Sequence, residues 1–573
     1  MPVRNAEIAA MLNRLADLLE IEGENPFKVR AYRNAALTVQ GLSRSIVDMV
    51  KAGENLTELP GIGDAIAKKL TEIAQTGHLT KLEQEARHIP ATLTDLLKIP
   101  SLGPKRVHIL FQKLKVKDEQ DLEKAVQSGK VRELDGFGAK TEAKIREYLD
   151  MKRTTARRTP IMEAEQIVTP LAACLEQVAG VKQVVPAGSY RRRMETVGDI
   201  DFLVTCAQAD AVMAAFVAYD EVQEVLAQGD TKSSVVLRSG IQVDLRVVPE
   251  ESFGAALNYF TGSKAHNIAL RARGQKLGLK LNEYGVFNGE KAVAGRTEDE
   301  VYRSLGLRAI PPELRENRGE IEAAEQGTLP SLVTIEDIRG DLQSHTDATD
   351  GRNTLEEMVA AAQARGLEYL AITDHSKRMA MAHGLNAARL RQQLKAIDKL
   401  NGTLSGFRVL KSIEVDILED GELDLADDIL KELDLVIAAV HSGFSLTREK
   451  QTERIIRALD NPLVQILAHP TGRLIGERPP YEVDIERLLD AAWERGCCME
   501  VNAGPSRLDL NDLHCRLAKE RGVKVAISTD AHGTADLGFM RYGVDQARRG
   551  WLEPDDVLNT RPWADVRKLL RRP

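Results

Sequence analysis

The 573-residue sequence has few cysteines and no long apolar run. Its five cysteines are odd in number and show no Cys-x-x-Cys spacing, so we exclude a disulfide framework and a cysteine zinc site and expect a reducing cytoplasm. No stretch approaches the roughly 18 uninterrupted apolar residues that a membrane span needs. The first residues lack the apolar core of a secretory signal, so we expect neither a membrane partner nor export.

The chain also lacks an overall excess of basic residues, since its net charge is −8. Its length predicts about three to five domains of ~150 residues each, and 43% hydrophobic with 29% charged residues is typical of globular proteins. One segment departs from this average, because residues 98–158 carry 16 basic and 9 acidic side chains. Such a segment can neutralise phosphates even on an acidic protein, with a solvated helical face as the alternative interpretation.

Three related turns occur in the first 150 residues, which we predict to be helical. They lie at 59–63, 99–103 and 134–138, and each precedes a helix that carries Lys or Arg. In a helix-hairpin-helix, small residues allow a tight turn, and backbone N–H groups at the next helix start face a phosphate. The turns therefore predict sequence-independent DNA binding, with three ordinary helix connections as the alternative. The residues expected to contact DNA are Gly61, Gly63, Gly103, Lys105, Arg106, Gly136, Gly138 and Lys140.

Two predicted strands, 197–204 and 241–247, place carboxylates on one face. Side chains alternate along a strand, so Asp199 and Asp201 point the same way, and Asp244 shares a face with its second neighbours. Three such carboxylates would repel one another unless cations joined them, and Mg²⁺ prefers hard oxygen ligands. The pattern predicts two-metal phosphoryl transfer, with solvated aspartates on an exposed face as the alternative.

Beyond residue 340, apolar strand-like runs alternate with helical patterns about seven times, which favours a parallel α/β sheet or barrel. Seven of the 11 histidines lie in this part, and five of them close an apolar run. Catalytic groups of α/β barrels lie at the C-terminal ends of the strands, and mixed His and carboxylate ligands suit Zn²⁺, Mn²⁺ or Fe²⁺. We leave His383 and His514 as surface or core residues. The predicted metal ligands are His345, His375, Glu414, His441, His469, Asp530 and His532.

Gly188-Ser189, with Asp199-x-Asp201 beginning ten positions after Ser189, resembles the nucleotidyltransferase signature. Together with the motif at 259–263, it makes residues 1 to about 320 similar to the family X (beta-like) DNA polymerases. The resemblance implies that Asp199, Asp201 and Asp244 hold Mg²⁺ or Mn²⁺. Lys264 is a departure, since the eukaryotic relatives have an acidic residue there. The implied nucleotide-binding residues are Gly188, Ser189, Arg192, Tyr259, Phe260, Gly262 and Asn267, and Arg271 and Tyr284 are implied to contact DNA.

The same family carries a 5′-deoxyribose-phosphate lyase domain at its N-terminus. Tyr32 and Lys69 fall at the positions of its aromatic residue and its Schiff-base lysine. A lysine of this kind must be partly neutral to attack an aldehyde, which nearby Lys68 would favour. Ala65 replaces a supporting lysine, so a phosphate-binding or solvated Lys69 is the alternative.

Residues from about 335 to 573 resemble the PHP (polymerase and histidinol phosphatase) domain. The family's opening His-x-His pair is a departure here, because Gln343 replaces the first histidine and we expect one metal to be bound loosely or not at all. The resemblance implies Asp350 as a further ligand, Asn502 and Arg507 as phosphate-binding residues, and a Mn²⁺-dependent 3′–5′ exonuclease that trims ends.

We therefore predict a multidomain chain: helix-hairpin-helix modules, an α+β palm and thumb, and a C-terminal distorted seven-stranded β/α barrel. The expected boundaries are 1–90 for a lyase-like domain, 91–154 for the fingers, 155–250 for the palm, 251–320 for the thumb, 321–340 for a linker and 341–573 for the PHP domain.

The predicted function is filling of short DNA gaps in base-excision-type repair by a monomer. Its expected partners are deoxynucleoside triphosphates and gapped or primer-template DNA with 5′-phosphate ends. Three alternatives stay open: a template-independent nucleotidyltransferase, a DNA-end binding protein, and an inert barrel that metal merely stabilises.

Overall fold

The computed structural model describes residues 5–40, 45–59, 61–85, 90–99, 101–154 and 158–570. The chain forms two compact units, Met1–Ala156 and Arg157–Pro573, and each is described by itself. Positions 60 and 100 of the predicted hairpin turns lie outside the described residues. Within the ranges given above, no helix combines the length and apolarity needed to cross a membrane.

The first unit is helical, as its sequence pattern predicts. Its apolar stripes divide into two cores, one around Leu12 and Leu15 and one around Leu110 and Leu122, while Leu18 of the first stripe packs in the second core. Its α-helices are α1 (Asn5–Glu22), α2 (Pro26–Gln40), α3 (Ile46–Lys51), α4 (Asp64–Thr76), α5 (Thr80–Glu85), α6 (Pro104–Leu114), α7 (Glu119–Gln127) and α8 (Ala139–Thr154).

The second unit begins with a five-stranded sheet of order β2-β4-β7-β6-β5, in which β4 and β7 are parallel. Alternate residues of β4, among them Ile200 and Phe202, are buried against helices. The elements are β1 (Thr159–Pro160), α9 (Ile161–Glu176), β2 (Val181–Pro186), α10 (Gly188–Arg191), β3 (Thr196–Val197), β4 (Asp199–Cys206), α11 (Ala209–Val217), β5 (Val222–Gln228), β6 (Lys232–Leu237) and β7 (Gln242–Val247).

Helices and a small antiparallel sheet of order β10-β9-β8 follow. The segment predicted as a linker is partly helical, because α15 begins at the last residue of the predicted thumb and extends into it. That first residue, Glu320, is buried and bonded to His266 of α13 at 2.6 Å. The elements are α12 (Phe253–Thr261), α13 (Lys264–Lys276), β8 (Lys280–Asn282), β9 (Gly285–Asn288), β10 (Lys291–Ala294), α14 (Glu298–Ser304) and α15 (Glu320–Gln326).

Seven parallel strands in sequence order, β11 to β17, form the last sheet. A bridge between Ser344 and Ala531, beyond the ends of the first and last strands, nearly closes it into a barrel. The predicted fold class is thus confirmed. The strands are β11 (Gly340–Asp341), β12 (Tyr369–Ile372), β13 (Arg408–Asp416), β14 (Leu435–Ala439), β15 (Ile466–Leu467), β16 (Cys498–Asn502) and β17 (Val525–Ser528). The helices are α16 (Leu355–Ala364), α17 (Ala387–Asn401), α18 (Asp427–Leu430), α19 (Arg448–Asp460), α20 (Ile485–Arg495), α21 (Asp512–Glu520), α22 (Met540–Arg549) and α23 (Trp563–Leu569).

Candidate active sites

The three predicted catalytic aspartates lie on one face of two neighbouring strands. The parallel register of β4 and β7 pairs Asp201 directly with Asp244 and pairs Asp199 with Gln242. The residue between the first two aspartates, Ile200, is fully buried on the opposite face. The alternation of the sequence therefore directs the three carboxylates to the same side of the sheet.

Asp201 is half-buried and lies against the start of α10. Gly188 begins α10 with φ of +60°, and a Cβ atom there would collide with Asp201 Oδ2, so only glycine allows this approach. Burial, reinforced by the charges of Asp199 and Asp244, raises the pKa of Asp201 to about 7. A carboxylate with such neighbours is stabilised in its ionised form by a bound cation.

Asp244 has protein partners of its own. Gln242 Nε2 donates to Asp244 Oδ1 at 2.8 Å, and Lys232 Nζ lies 3.6 Å from Oδ2. Its carboxylate can nevertheless accept further ligands, because each oxygen has two lone pairs. The carboxylate-only donor set of the three aspartates fits a hard divalent cation.

A cleft of about 560 Å³ opens beside Asp199 and Asp201. Its walls include every residue predicted to bind nucleotide, as well as Arg271, whereas Tyr284 is 64% exposed and does not line it. Arg158, which no sequence motif predicts as a site residue, also lines the cleft. In the sequence, Arg158 is marked merely by its place in the basic run before Thr159. The lining residues are Arg158, Gly188, Ser189, Arg192, Gly198, Asp199, Asp201, Tyr259, Phe260, Thr261, Gly262, Lys264, Asn267 and Arg271.

Contacts among the α12 and α13 side chains fix one wall of this cleft. The rings of Tyr259 and Phe260 meet edge to face at 5.1 Å, and the guanidinium of Arg246 lies 4.4 Å from the Phe260 ring centre. Asn267 Nδ2 donates to the carbonyl of Tyr259 at 2.7 Å. At Gly262, with φ of +70°, a side chain would press on Arg192 Nη1. This wall therefore presents aromatic rings and donors in fixed positions.

The three helix-hairpin-helix turns share one backbone geometry. Gly61, Ser101 and Gly136 each have a positive φ, of 72°, 74° and 78°. Two residues later, Gly63 and Gly103 form the N-caps of α4 and α6 without a side-chain hydrogen bond. The first backbone N–H groups of these helices are therefore available to an anion.

The basic residues after these turns differ in their surroundings. Lys105 and Lys140 are exposed. Arg106 instead donates from Nη1 to the Ser101 carbonyl at 2.7 Å and from Nε to the Gly136 carbonyl at 3.1 Å. Arg106 thus ties two hairpin turns together, and Lys105 is the freer of the pair to contact a phosphate.

Lys69 lies beside Tyr32 in the first unit. Lys69 Nζ is 5.9 Å from the Tyr32 ring centre and donates to the Ala65 carbonyl at 3.2 Å. Tyr32 is buried, so its ring forms a fixed surface under the ammonium group.

The barrel gathers its predicted ligands around a single carboxylate, Glu414, which is almost fully buried on β13. Its Oε1 lies 2.9 Å from His469 Nε2 and 3.3 Å from His441 Nε2. Its Oε2 lies 3.0 Å from His375 Nδ1 and 3.6 Å from His345 Nε2. Four strand ends therefore deliver imidazoles to one carboxylate.

The other predicted ligands complete this cluster. Asp350 Oδ2 lies 3.4 Å from His375 Nε2 and 3.6 Å from His532 Nε2. Asp530 Oδ1 lies 3.0 Å from His345 Nε2. The residues form three groups, and within each group the ligand atoms lie within 4.8 Å of one another, a suitable spacing for metal ligands. The groups are His345, Asp350, His375 and His532; His375, Glu414 and His441; and His345, Glu414 and Asp530.

Charge and burial act against each other in this cluster. Burial disfavours the protonated form of His441, but the charge of Glu414 outweighs it and raises the pKa of His441 to about 9. The carboxylates of Asp350 and Asp530 likewise outweigh burial and raise the pKa of His532 to about 9. A metal ion that binds these residues would take the place of the protons.

Gln343 is fully buried beside the cluster and donates from Nε2 to Asp530 Oδ1 at 3.4 Å. Its carbonyl oxygen Oε1 is buried and accepts no hydrogen bond from any of the described residues. Such an orphaned acceptor is costly unless a ligand meets it. The buried amide oxygen is therefore a candidate ligand, although a neutral one.

Residues at the end of β16 lie next to Asp530. Asn502 Nδ2 donates to Asp530 Oδ2 at 3.0 Å, and Arg507 Nε is 3.7 Å from the same oxygen. Arg507 Nη1 is buried and has no acceptor among the described residues, which leaves a donor for an anion. Sequence reasoning missed Asp416, which lies 3.0 Å from His441 Nδ1 and so orients that imidazole.

Comparison with known families agrees with this architecture. Residues 158–246 match the DNA polymerase beta palm, 256–316 the DNA polymerase beta thumb and 341–504 the PHP domain. Residues 3–79 match a helix-hairpin-helix domain, and residues 93–150 match a SAM-like helix-hairpin-helix tandem.

Two curated relatives show how far the similarity extends. A probable phosphatase of Thermoanaerobacter sp. (strain X514) is 35% identical over 231 residues, which cover 38% of this chain and 89% of the relative. The DNA polymerase/3′-5′ exonuclease PolX of Bacillus subtilis (strain 168) is 40% identical over 570 residues, 99% of both chains. With that extent of identity, and with palm, thumb and barrel in one chain, the protein belongs to the family X DNA polymerases that carry a C-terminal PHP domain.

Proposed function

We propose that this family X polymerase fills short gaps in damaged DNA by template-directed nucleotidyl transfer. The observation that carries the proposal is the register pair of Asp201 and Asp244 beside the cleft of about 560 Å³. Two Mg²⁺ or Mn²⁺ ions held by Asp199, Asp201 and Asp244 would activate the primer 3′-hydroxyl and neutralise the leaving group.

The cleft residues would bind the incoming deoxynucleoside triphosphate. Gly188 and Ser189 offer backbone N–H groups at the start of α10, and Arg192 offers a forked donor for phosphate oxygens. Tyr259, Phe260 and Gly262 would face the sugar, Asn267 the base edge and Arg271 the template side.

DNA itself would be held mainly by its backbone. The hairpin turns at Gly61, Gly63, Gly103, Gly136 and Gly138 and the exposed Lys105 and Lys140 suit phosphates of any sequence. Tyr284, exposed at the thumb, would add a contact. Lys69 above Tyr32 is a candidate nucleophile for removal of a 5′-deoxyribose phosphate, although its Ala65 hydrogen bond also suits a structural lysine.

The barrel would remove nucleotides from 3′ ends. Seven His, Asp and Glu residues at ligand spacing, with His469 on Glu414, fit Mn²⁺, Zn²⁺ or Fe²⁺. Asn502 and Arg507 would orient the scissile phosphate. A metal held by these residues would supply Lewis-acid activation of water and compensation of phosphate charge. We extend the proposal to the predicted domain boundaries, to a monomer, and to the cytoplasm, which suits five cysteines that are all free.

The decisive test is extension of a primer by one nucleotide at a one-nucleotide gap, with Mg²⁺ or Mn²⁺. We expect incorporation opposite the template base and, with Mn²⁺ but no nucleotide, shortening of the 3′ end. Extension of single-stranded primers without a template would favour a template-independent transferase. Tight end binding without turnover would favour a DNA-end binding protein, and a metal-containing chain without nuclease activity would favour an inert barrel.

A further inference from the structure

The barrel contacts the polymerase part of the second unit through helix α22. Arg549, the last residue of α22, has a side chain that is only 2% exposed. Its Nη2 donates to Asp512 Oδ2 of the barrel at 2.7 Å. Its Nη1 instead reaches the polymerase part, where it donates to the Arg192 carbonyl at 2.7 Å and to Glu316 Oε1 at 3.1 Å.

Glu316 links this contact to the nucleotide cleft. The same oxygen, Glu316 Oε1, accepts a hydrogen bond from Arg192 Nε at 3.0 Å. Arg192 Nη1 donates to the Thr261 carbonyl at 2.5 Å, and Arg192 lines the cleft. One carboxylate, 15% exposed, is therefore shared by an arginine of the polymerase cleft and an arginine of the barrel.

A shared carboxylate of this kind competes with a triphosphate for Arg192. When phosphate oxygens bind the Arg192 guanidinium, Glu316 loses part of the positive charge that compensates its own. A partly buried carboxylate without a counter-charge is costly in free energy. Arg549 remains bound to Glu316 and compensates the negative charge of that carboxylate. The free-energy cost of transferring Arg192 to the phosphate is therefore lower. Arg549 also holds the Arg192 backbone in place through the carbonyl.

We propose that Arg549, although it belongs to the nuclease barrel, is a positioning residue of the polymerase that releases Arg192 from Glu316 for the incoming triphosphate. The proposal rests on the role assigned above to Arg192. It predicts that the barrel affects nucleotide affinity without contributing a group to the polymerase reaction.

The test is steady-state gap filling by the full chain with Arg549→Ala, across a nucleotide titration. We expect the nucleotide KM to rise about tenfold with kcat changed less than about twofold. In the variant, Glu316 depends on Arg192 for its counter-charge and therefore competes more strongly with the triphosphate. Adding Glu316→Gln to Arg549→Ala should bring KM back to within about twofold of wild type, since an amide competes weakly for a guanidinium. A purely structural role for Arg549 would not be rescued in this way.

Arg548→Ala is the matched control. Arg548 precedes Arg549 on α22 and also binds the polymerase part, through Glu313 at 2.8 Å, but it contacts neither Arg192 nor Glu316. We expect it to lower the melting temperature comparably and to leave KM unchanged. Equal effects of both variants on KM would overturn the proposal, because they would indicate general loosening of the interface.

Two further variants keep the test decisive. If Arg549→Ala does not fold, Arg549→Lys retains a charge but loses the fork, and should raise KM about threefold with the same rescue by Glu316→Gln. A folded Lys variant with wild-type KM overturns the proposal. Arg192→Ala distinguishes failure of the proposed function from failure of this inference. If Arg192→Ala does not raise KM, the assigned role of Arg192 in nucleotide binding is wrong. If Arg192→Ala raises KM and the Arg549 variants do not, only the positioning role of Arg549 is wrong.

Discussion

Asp201 on β4 and Asp244 on β7 are direct partners across two parallel strands, so one face of a five-stranded sheet presents both carboxylates. The two differ in environment. Asp201 is packed against Gly188 and has a raised pKa, whereas Asp244 is held by Gln242 and Lys232. This difference suggests that the two aspartates tolerate substitution differently, and that Asp244 can be changed with little effect on the fold.

Asp244→Ala should lower nucleotide addition by about a hundredfold or more, because it removes a charged group from the reaction centre. Affinity for gapped DNA should stay within about twofold, since backbone contacts lie elsewhere. Single-turnover extension and a binding titration measure the two effects. Asp220→Ala, at an exposed turn of the same sheet, is the control. Near-normal incorporation by Asp244→Ala would contradict the assignment of the palm.

Lys105→Ala should weaken DNA binding equally for all sequences and reduce the slope of log affinity against log salt by about one, as expected for one phosphate contact. Arg106→Ala should instead lower the melting temperature, because Arg106 ties the turns at Ser101 and Gly136 together. Binding isotherms at several salt concentrations and thermal melts distinguish the two. A sequence-selective loss with Lys105→Ala would argue against the phosphate contact.

His345→Ala or Asp530→Asn should stop Mn²⁺-dependent removal of 3′ nucleotides, because each removes a ligand from the cluster around Glu414. Gap filling should persist, since the polymerase aspartates lie on another sheet. A gel assay of primer shortening and extension measures both activities. His383→Asn changes an exposed histidine outside the cluster and should alter neither. If shortening continues in both ligand variants, the nuclease is not in the barrel.

Gln343→His should strengthen metal retention, because imidazole binds Zn²⁺ or Mn²⁺ more tightly than a neutral amide oxygen. Metal content after dialysis against a weak chelator, together with the exonuclease rate, provides the measurement. If the native chain is already fully loaded and the variant changes neither quantity, then the Gln343 oxygen is an adequate ligand. That result would agree with its buried, orphaned Oε1.

Asp545→Asn should stabilise the contact between α22 and the palm at alkaline pH. Burial raises the pKa of Asp545 from 3.8 to about 6, although Arg193 lies 3.8 Å away. Because the pKa of Asp545 is higher in the folded state, ionisation of Asp545 lowers the free energy of unfolding. This destabilisation is absent below about pH 4, grows up to about pH 6 and is constant at higher pH. The substitution should raise the free energy of unfolding by up to about 3 kcal/mol at pH 8 and by about half of that at pH 5. Thermal melts at both pH values test it, and a pH-independent effect would contradict this origin.

Local sequence pattern determined the chemistry of both sites. The period-two spacing of Asp199 and Asp201 fixes which face they share, and a histidine that closes an apolar strand of a parallel barrel lies at the C-terminal end of that strand. The same reasoning anticipated the seven barrel strands and the helical first unit, because both depend on hydrophobic periodicity within short windows.

Tertiary structure alone decided which atoms meet. Glu414 at the centre of four imidazoles, Arg106 bridging two turns, and Arg549 on Glu316 all join residues whose separation in sequence carries no periodic signal. Side-chain direction across such distances depends on how helices and strands pack, and packing is a collective property of many residues. The sequence therefore determined which groups the protein has and at which strand ends they lie, whereas packing determined their partners.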